Sequence, residues 1–498
     1  MASSISLRSP LGQSIPLTVT SSMAPPVLLF ASFAFFIFYQ SASATAAITL
    51  HLRPLASRIR TSISDQWEEV EVLASLAASS VARAHQLKRP KKIDLSPSNA
   101  AAAASAASHP VNLLLSSHSF GGYTVDLSFG TPPQTMTFLL DTGSSLVWSP
   151  CTAHYKCSRC NFPDIDPTKI PTFIPRASSS SRLIGCRNPK CQLLFGPTVT
   201  SQCPSCGPTS RNCSQICPVY MIQYGSGSTG GILVSDTISL PGQTVPNFLL
   251  GCSVFSSAQP TGIAGFGRGA ESLPAQLGLR KFSYCLLSRK FDDTSETSSL
   301  VLDMDSGKRS SGLSYTPFRQ NPSGSAAAFS EYYYVGLRKI LVGGKTVKVP
   351  YRYLAPGTDG AGGTIVDSGT TFTFMEQPIF EAVAKEFNQQ MGNYSRAKDV
   401  ESRSGLTPCY NVSGRSHLGL PELVLQFKGG AMMALPPENY FAVLRSGVVC
   451  LTIVSDSMTL SGVSGGPAIV LGSFQQQNYY MEYDLHNGRL GFRKDSCK

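Results

Sequence analysis

Two short stretches of this chain place a carboxylate where an apolar run meets a turn. In the first, Thr137, Phe138, Leu139 and Leu140 lead into Asp141, and Thr142, Gly143, Ser144 and Ser145 follow before Leu146, Val147 and Trp148 turn apolar again. In the second, Thr364, Ile365 and Val366 lead into Asp367, followed by Ser368, Gly369, Thr370 and Phe372. The pattern predicts a buried strand that ends in a tight loop. A carboxylate there is costly unless donors satisfy it or its proton is shared. Like charges about 3 Å apart do not both ionise, so two such groups facing each other hold one proton between them. That pair can take a proton from water and give one to a departing amine, the two transfers that amide hydrolysis requires.

A third triplet, Asp305, Ser306 and Gly307, runs instead into Lys308, Arg309 and Ser310, the composition of a solvated turn. The first two are embedded in a weak internal repeat. Tyr123, Val125 and Leu127 precede Asp141 as Tyr333, Val335 and Leu337 precede Asp367. Ile263, Ala264 and Gly265 close the first half as Val470, Leu471 and Gly472 close the second. Two related halves that each deliver one carboxylate to a shared cleft account for the repeat. The seven His are scattered and form no His-x-x-x-His pair, and no phosphate loop or dinucleotide fingerprint is present. Serine and metal mechanisms therefore lack their partners.

These residues resemble the pepsin-like aspartic proteases, and among them the cysteine-rich plant branch typified by nepenthesins, over about residues 120 to 497. The match is carried by Phe129-Gly130-Thr131-Pro132-Pro133, the two Asp loops, Tyr224-Gly225-Ser226-Gly227-Ser228, Phe282-Ser283-Tyr284-Cys285 and Gly472-Ser473-Phe474. The resemblance implies an all-β, bilobal fold with pseudo-twofold related lobes and a central cleft. It makes Asp141 and Asp367 the catalytic dyad of an endopeptidase that works in acid. It makes Tyr224 the flap tyrosine, with the amides of Gly225 and Ser226 reaching the substrate's carbonyls. Thr142 and Ser368 match hydroxyls that cross-brace the two loops, and Ser144 and Thr370 match those on the outer carboxylate oxygens. Gly143 and Gly369 give room for close approach, and Trp148 matches the flap tyrosine's partner. By the same resemblance Cys409 pairs with Cys450.

Around these loops the chain divides into a signal peptide (1–46), a prosegment and linker (47–115), an N-terminal lobe with a cysteine-rich insert (116–325) and a C-terminal lobe (326–498). Residues 27 to 39 are apolar, too short to span a membrane, and are followed by small residues suited to cleavage, with Met23 an alternative start. Trp67, Val70, Leu73, Leu76, Ala77 and Val81 fall at helical spacing, with Asp65 placed to cap. The basic residues from Arg53 to Lys92 are expected to lie against the carboxylate cleft at neutral pH and to leave it in acid. The Ala-rich run 100–107 reads as a linker.

The chain has 43 Gly, 34 Pro and only 14% charged residues, as a turn-rich β protein does. Its net charge of +11 suits either plain solubility or an acidic polymer such as cell-wall pectin. Nine of the 14 cysteines lie between Cys151 and Cys217, two pairs of them at C-x-x-C spacing. A zinc site is the rival reading, but a signal peptide and a Pro-rich loop region favour disulfides. Because nine is odd, full pairing requires a bridge from the insert to the rest of the chain. Asn212, Asn393 and Asn411 are glycosylation sequons. The expected protein is a secreted monomer of the apoplast or cell wall rather than the vacuole, acting on polypeptides. No cofactor, metal, nucleic acid or stable membrane insertion is expected. A catalytically silent pepsin-fold inhibitor or cell-wall binding protein is the alternative.

Overall fold

The computed structural model describes residues 48–54, 66–88, 122–160, 166, 168–206, 213–225, 227–288, 297–304, 310–320, 330–358, 360–415, 417–456 and 465–497. The signal sequence, Asp65, the Ala-rich linker, the triplet at Asp305, Ser226 and Asn212 lie outside the described residues. The fold is mostly β and bilobal. In the first lobe the strand Tyr123–Phe129 alternates apolar side chains and pairs antiparallel with Gln134–Asp141. Gln134–Asp141 pairs parallel with Gly262–Gly265, register Asp141 to Gly265. In the second lobe Thr364–Val366 pairs parallel with Ile469–Leu471, register Val366 to Leu471. Each Asp therefore ends a strand held by a parallel neighbour from its own lobe's closing segment, which is the pseudo-twofold repeat read in the sequence.

Parallel pairs are buried on both faces, and the runs Phe138-Leu139-Leu140 and Ile365-Val366 are buried here. The hairpin Tyr479–Asp484 and Arg489–Lys494 is continuous with Lys281–Cys285 of the first lobe. Phe282 stacks on Tyr483 at 4.5 Å, and Tyr333 meets Tyr483 edge-on at 4.8 Å. The Phe282–Tyr483 contact joins the two lobes, and such pairs contribute about 0.5–1.5 kcal/mol each beyond burial.

All 14 cysteines are paired. Cys157 bonds Cys160, but Cys203 bonds Cys186 and Cys206 bonds Cys213, so the two C-x-x-C pairs do not converge on one centre. Cys191 bonds Cys217 within the insert, Cys151–Cys252 ties the insert to the lobe's central sheet, and Cys285–Cys497 pins the C-terminus. Cys409 bonds Cys450 across adjacent strands.

The N-terminal region contributes two elements. Strand Ile48–Pro54 lies between Tyr123–Phe129 and Ser298–Asp303 in the large sheet. Helix Gln66–Lys88 packs on the second lobe, where Val70, Leu73, Leu76, Ala77, Val81, Ala84 and Leu87 join a cluster with Tyr332, Phe372, Phe374 and Phe474. From Val72 to Lys88 none of its side chains is exposed, as expected of a helix enclosed on several sides. Asn393 and Asn411 are exposed.

Candidate active site

The two Asp loops hold each other through a reciprocal set of hydrogen bonds. The amide of Ser368 donates to Thr142 Oγ1 at 2.9 Å, and that of Thr142 donates to Ser368 Oγ at 3.1 Å. The hydroxyls in turn donate across the lobe boundary, Ser368 Oγ to the Leu140 carbonyl at 2.9 Å and Thr142 Oγ1 to that of Val366 at 3.2 Å. Four bonds related by a twofold exchange fix the loops against each other in a site where unmade bonds would be expensive.

The carboxylates are dressed in the same symmetric way. The Gly143 amide donates to Asp141 Oδ1 at 3.0 Å and the Gly369 amide to Asp367 Oδ1 at 2.9 Å. Ser144 Oγ donates to Asp141 Oδ2, and Thr370 Oγ1 to Asp367 Oδ2 at 2.6 Å. A methyl group at Gly143 would lie 2.6 Å from Asp367 Oδ1, and one at Gly369 would strike Asp141 Oδ1. Each glycine thus leaves room for the opposite lobe's carboxylate. Both aspartates are buried. Burial raises the Asp367 carboxyl to about 6, with Arg83 opposing the rise and the charge on Asp141 adding to it.

Arg83 occupies this centre. Its Nη2 donates to both oxygens of Asp141 at 2.8 Å, and its Nε reaches Asp367 Oδ2 at 3.4 Å. Gln86, one turn on, accepts from Nη1 at 2.7 Å. Burial works against the buried guanidinium's charge, but Asp141 and Asp367 outweigh it and hold its pKa above the ordinary value. The helix is anchored on either side by Lys88 to Glu376 at 2.7 Å, His85 to Asp456 at 2.5 Å and Glu69 to Arg445 at 2.9 Å. Ser80 Oγ accepts from the Phe372 amide at 2.9 Å.

Above the dyad, strands Tyr220–Tyr224 and Gly227–Leu240 form a hairpin. Trp148 Nε1 donates to the Tyr224 hydroxyl at 2.9 Å, the rings 6.1 Å apart. Tyr224 is buried, which raises its hydroxyl pKa, as does the nearby Asp141. The Arg83 guanidinium lies 5.7 Å from its ring centroid. A side chain at Gly225 would meet the Arg83 backbone at 2.6 Å, so the hairpin tip rests on the helix.

The structure therefore brings together Asp141, Asp367, Thr142, Gly143, Ser144, Trp148, Tyr224, Gly225, Ser368, Gly369 and Thr370. Sequence reasoning gave a basic range for the N-terminal region but did not single out Arg83. A signal existed, because Arg83 continues the buried series Leu73, Leu76 and Ser80 along one helix face, where a cation needs an anionic partner.

Two lobes that each deliver an Asp-hydroxyl-Gly loop to one cleft under a Tyr hairpin define a pepsin-like protein. Comparison with known proteins agrees. Two family models match, one described as xylanase inhibitor N-terminal over residues 123–302 and one as xylanase inhibitor C-terminal over 332–494. A probable aspartyl protease of Arabidopsis thaliana is 33% identical over 422 residues, covering 75% of this chain and 82% of that protein. Aspartic proteinase nepenthesin-1 of Nepenthes gracilis is 32% identical over 384 residues, covering 76% and 78%. The crystal structure of EDGP superposes with a TM-score of 0.58 at 22% identity over 76% of this chain and 92% of that one. Conglutin gamma from lupine seeds gives 0.55 at 21% identity, with the same coverage. The chain belongs to the pepsin-like aspartyl protease family of plants, in its nepenthesin-like, cysteine-rich branch.

Proposed function

We propose that this protein is a secreted aspartic endopeptidase, made as a zymogen, that hydrolyses peptide bonds in acid with Asp141, Asp367 and a shared water. The observation that carries the reading is one guanidinium contacting both carboxylates, which requires the two groups to face a common point. With the helix withdrawn, water and the scissile carbonyl occupy the place of that guanidinium. The ionised member of the pair takes a proton from water, and the protonated member donates toward the substrate. Oriented amides and hydroxyls around the outer oxygens hold both carboxylates in place throughout. Seven disulfides and the apolar leader support export to an oxidising compartment.

The test compares Asp141→Ala and Asp367→Asn with wild type in casein digestion at pH 3 to 5, after removal of the N-terminal region. Loss of digestion in both variants, with fold and disulfides intact, supports the assignment. Equal digestion rejects it.

The family descriptions speak of xylanase inhibition, which favours a second reading as a silent inhibitor. That reading predicts dose-dependent inhibition of a xylanase that survives Asp141→Ala.

A further inference from the structure

The second lobe carries a cationic hollow on a sheet separate from the one that presents Asp367. Strand Leu337–Val342 exposes Arg338 and Lys339, turns tightly through Gly343 and Gly344, and returns as Lys345–Thr346. Lys348 and Pro350 then lead into the short helix Tyr351–Leu354. Arg338, Lys339 and Lys348 rim a pocket of about 450 Å³ whose floor is Ile340, Val347 and Leu354. The floor residues are buried, and the three cations are exposed.

Two further cations, Arg319 and Lys428, lie beside Gly336 at the start of this strand. Arg319 and Arg338 lower the pKa of the Tyr351 hydroxyl, and the residue is 61% exposed. Lys428 lies beside Arg319 across Gly336. Among the described residues no carboxylate forms an ion pair with Arg338, Lys339 or Lys348, while Lys345 of the same hairpin pairs with Glu386 at 3.4 Å. Like charges gathered without counter-ions repel one another, which favours an anionic ligand.

We propose that this hollow binds a carboxylate-bearing polysaccharide. Two requirements coincide there: cations to meet spaced carboxylates and an apolar floor for the faces of sugar rings, with the exposed Tyr351 next in the chain to the lining residue Pro350. A nucleic acid instead calls for several aromatic platforms along a basic track, and among the described residues this surface has a single exposed ring, Tyr351. The site is independent of the proteolytic reading. The chain's positive charge was visible in composition, but no Lys/Arg run marks this place because a bulged strand and the hairpin after it gather the cations.

The experiment measures retention of the intact chain on polygalacturonate in low salt, beside neutral galactan and single-stranded DNA. Wild type is expected to bind polygalacturonate in preference to both. Lys339→Glu/Lys348→Glu is expected to bind roughly tenfold more weakly, having lost two surface ion pairs and gained repulsion. Tyr351→Ala, which keeps every charge, is expected to bind several-fold more weakly. Lys169→Glu/Arg182→Glu in the other lobe carries the same charge change and is expected to bind as wild type. Equal loss in both charge-reversed pairs, equal retention on DNA, or no retention on polygalacturonate overturns the proposal.

Discussion

Arg83 Nη2 stands 2.8 Å from both carboxylate oxygens of Asp141, while Nε of the same side chain reaches across to Asp367. A planar fork of donors answers two carboxylates that burial would otherwise leave facing each other with excess charge. The contact ties the helix Gln66–Lys88 to the groups proposed to do the chemistry, and it fills the place where substrate would have to come.

Breaking that contact should free the site. Removing one partner of a buried pair costs about 3–5 kcal/mol, and here the cost falls on docking of the helix. Arg83→Ala in the intact chain is therefore expected to digest casein at pH 5 without prior processing, at least about tenfold faster than intact wild type. Arg83→Lys keeps the charge and should remain closer to wild type. A digestion rate of the intact chain that is unchanged in Arg83→Ala would show that the guanidinium does not restrain the site.

Acid should loosen the same helix. Asp367 titrates near 6 instead of its ordinary 3.8 because burial disfavours its charge, so its contribution to folding is full below 3.8 and is lost as pH rises through about 6. Its attraction for Arg83 runs the opposite way, present above about 6 and fading below it. From pH 7 down to pH 4 the fold thus regains the support of this group while the helix loses one of its two anions. Amide exchange over residues 66–88 is expected to quicken on that descent before the core exchanges, and slowing over the range would contradict it.

Crowding at the dyad makes a third case. Gly143→Ala places a methyl group against Asp367, and Gly369→Ala places one against Asp141. Displacing a reacting carboxylate by even about 1 Å can cost about 10²-fold in rate, so kcat of either processed variant is expected to fall by roughly that factor with KM little changed. Steady-state kinetics on a peptide substrate would show it.

The disulfide Cys409–Cys450 closes a loop with a sequence separation of 41. Loop-closure entropy for that length is worth about 4 kcal/mol, so Cys409→Ser/Cys450→Ser should lower the melting temperature by several degrees. The dyad lies elsewhere, so activity at 25 °C should persist, as calorimetry and digestion run together would reveal.

Much of this architecture was legible because its parts are short-range. The apolar run, the Asp, the hydroxyl and the Gly sit together in each half, and the parallel registers at Gly265 and Leu471 follow from the repeated closing segments. The role of Arg83 was harder to read. Helical spacing places it on the buried face, but nothing local names a partner 58 residues away. The disulfide pairing of the insert was equally closed to inspection, since nine cysteines permit many connectivities and only the odd count required a bridge outward. The place of Ile48–Pro54 inside the large sheet also escaped, because seven residues carry no mark of which edges they will join.

The central claim is that Asp141 and Asp367 divide one proton and use it to cut peptide bonds. Its most direct measurement is kcat/KM against pH from 2 to 8 for one peptide, using processed wild type and processed Asp141→Ala/Asp367→Ala side by side. The account predicts a bell in the acid range for wild type that falls away toward neutrality, and no turnover in the double variant. A rate that stays level through neutrality, or that survives loss of both carboxylates, would contradict it.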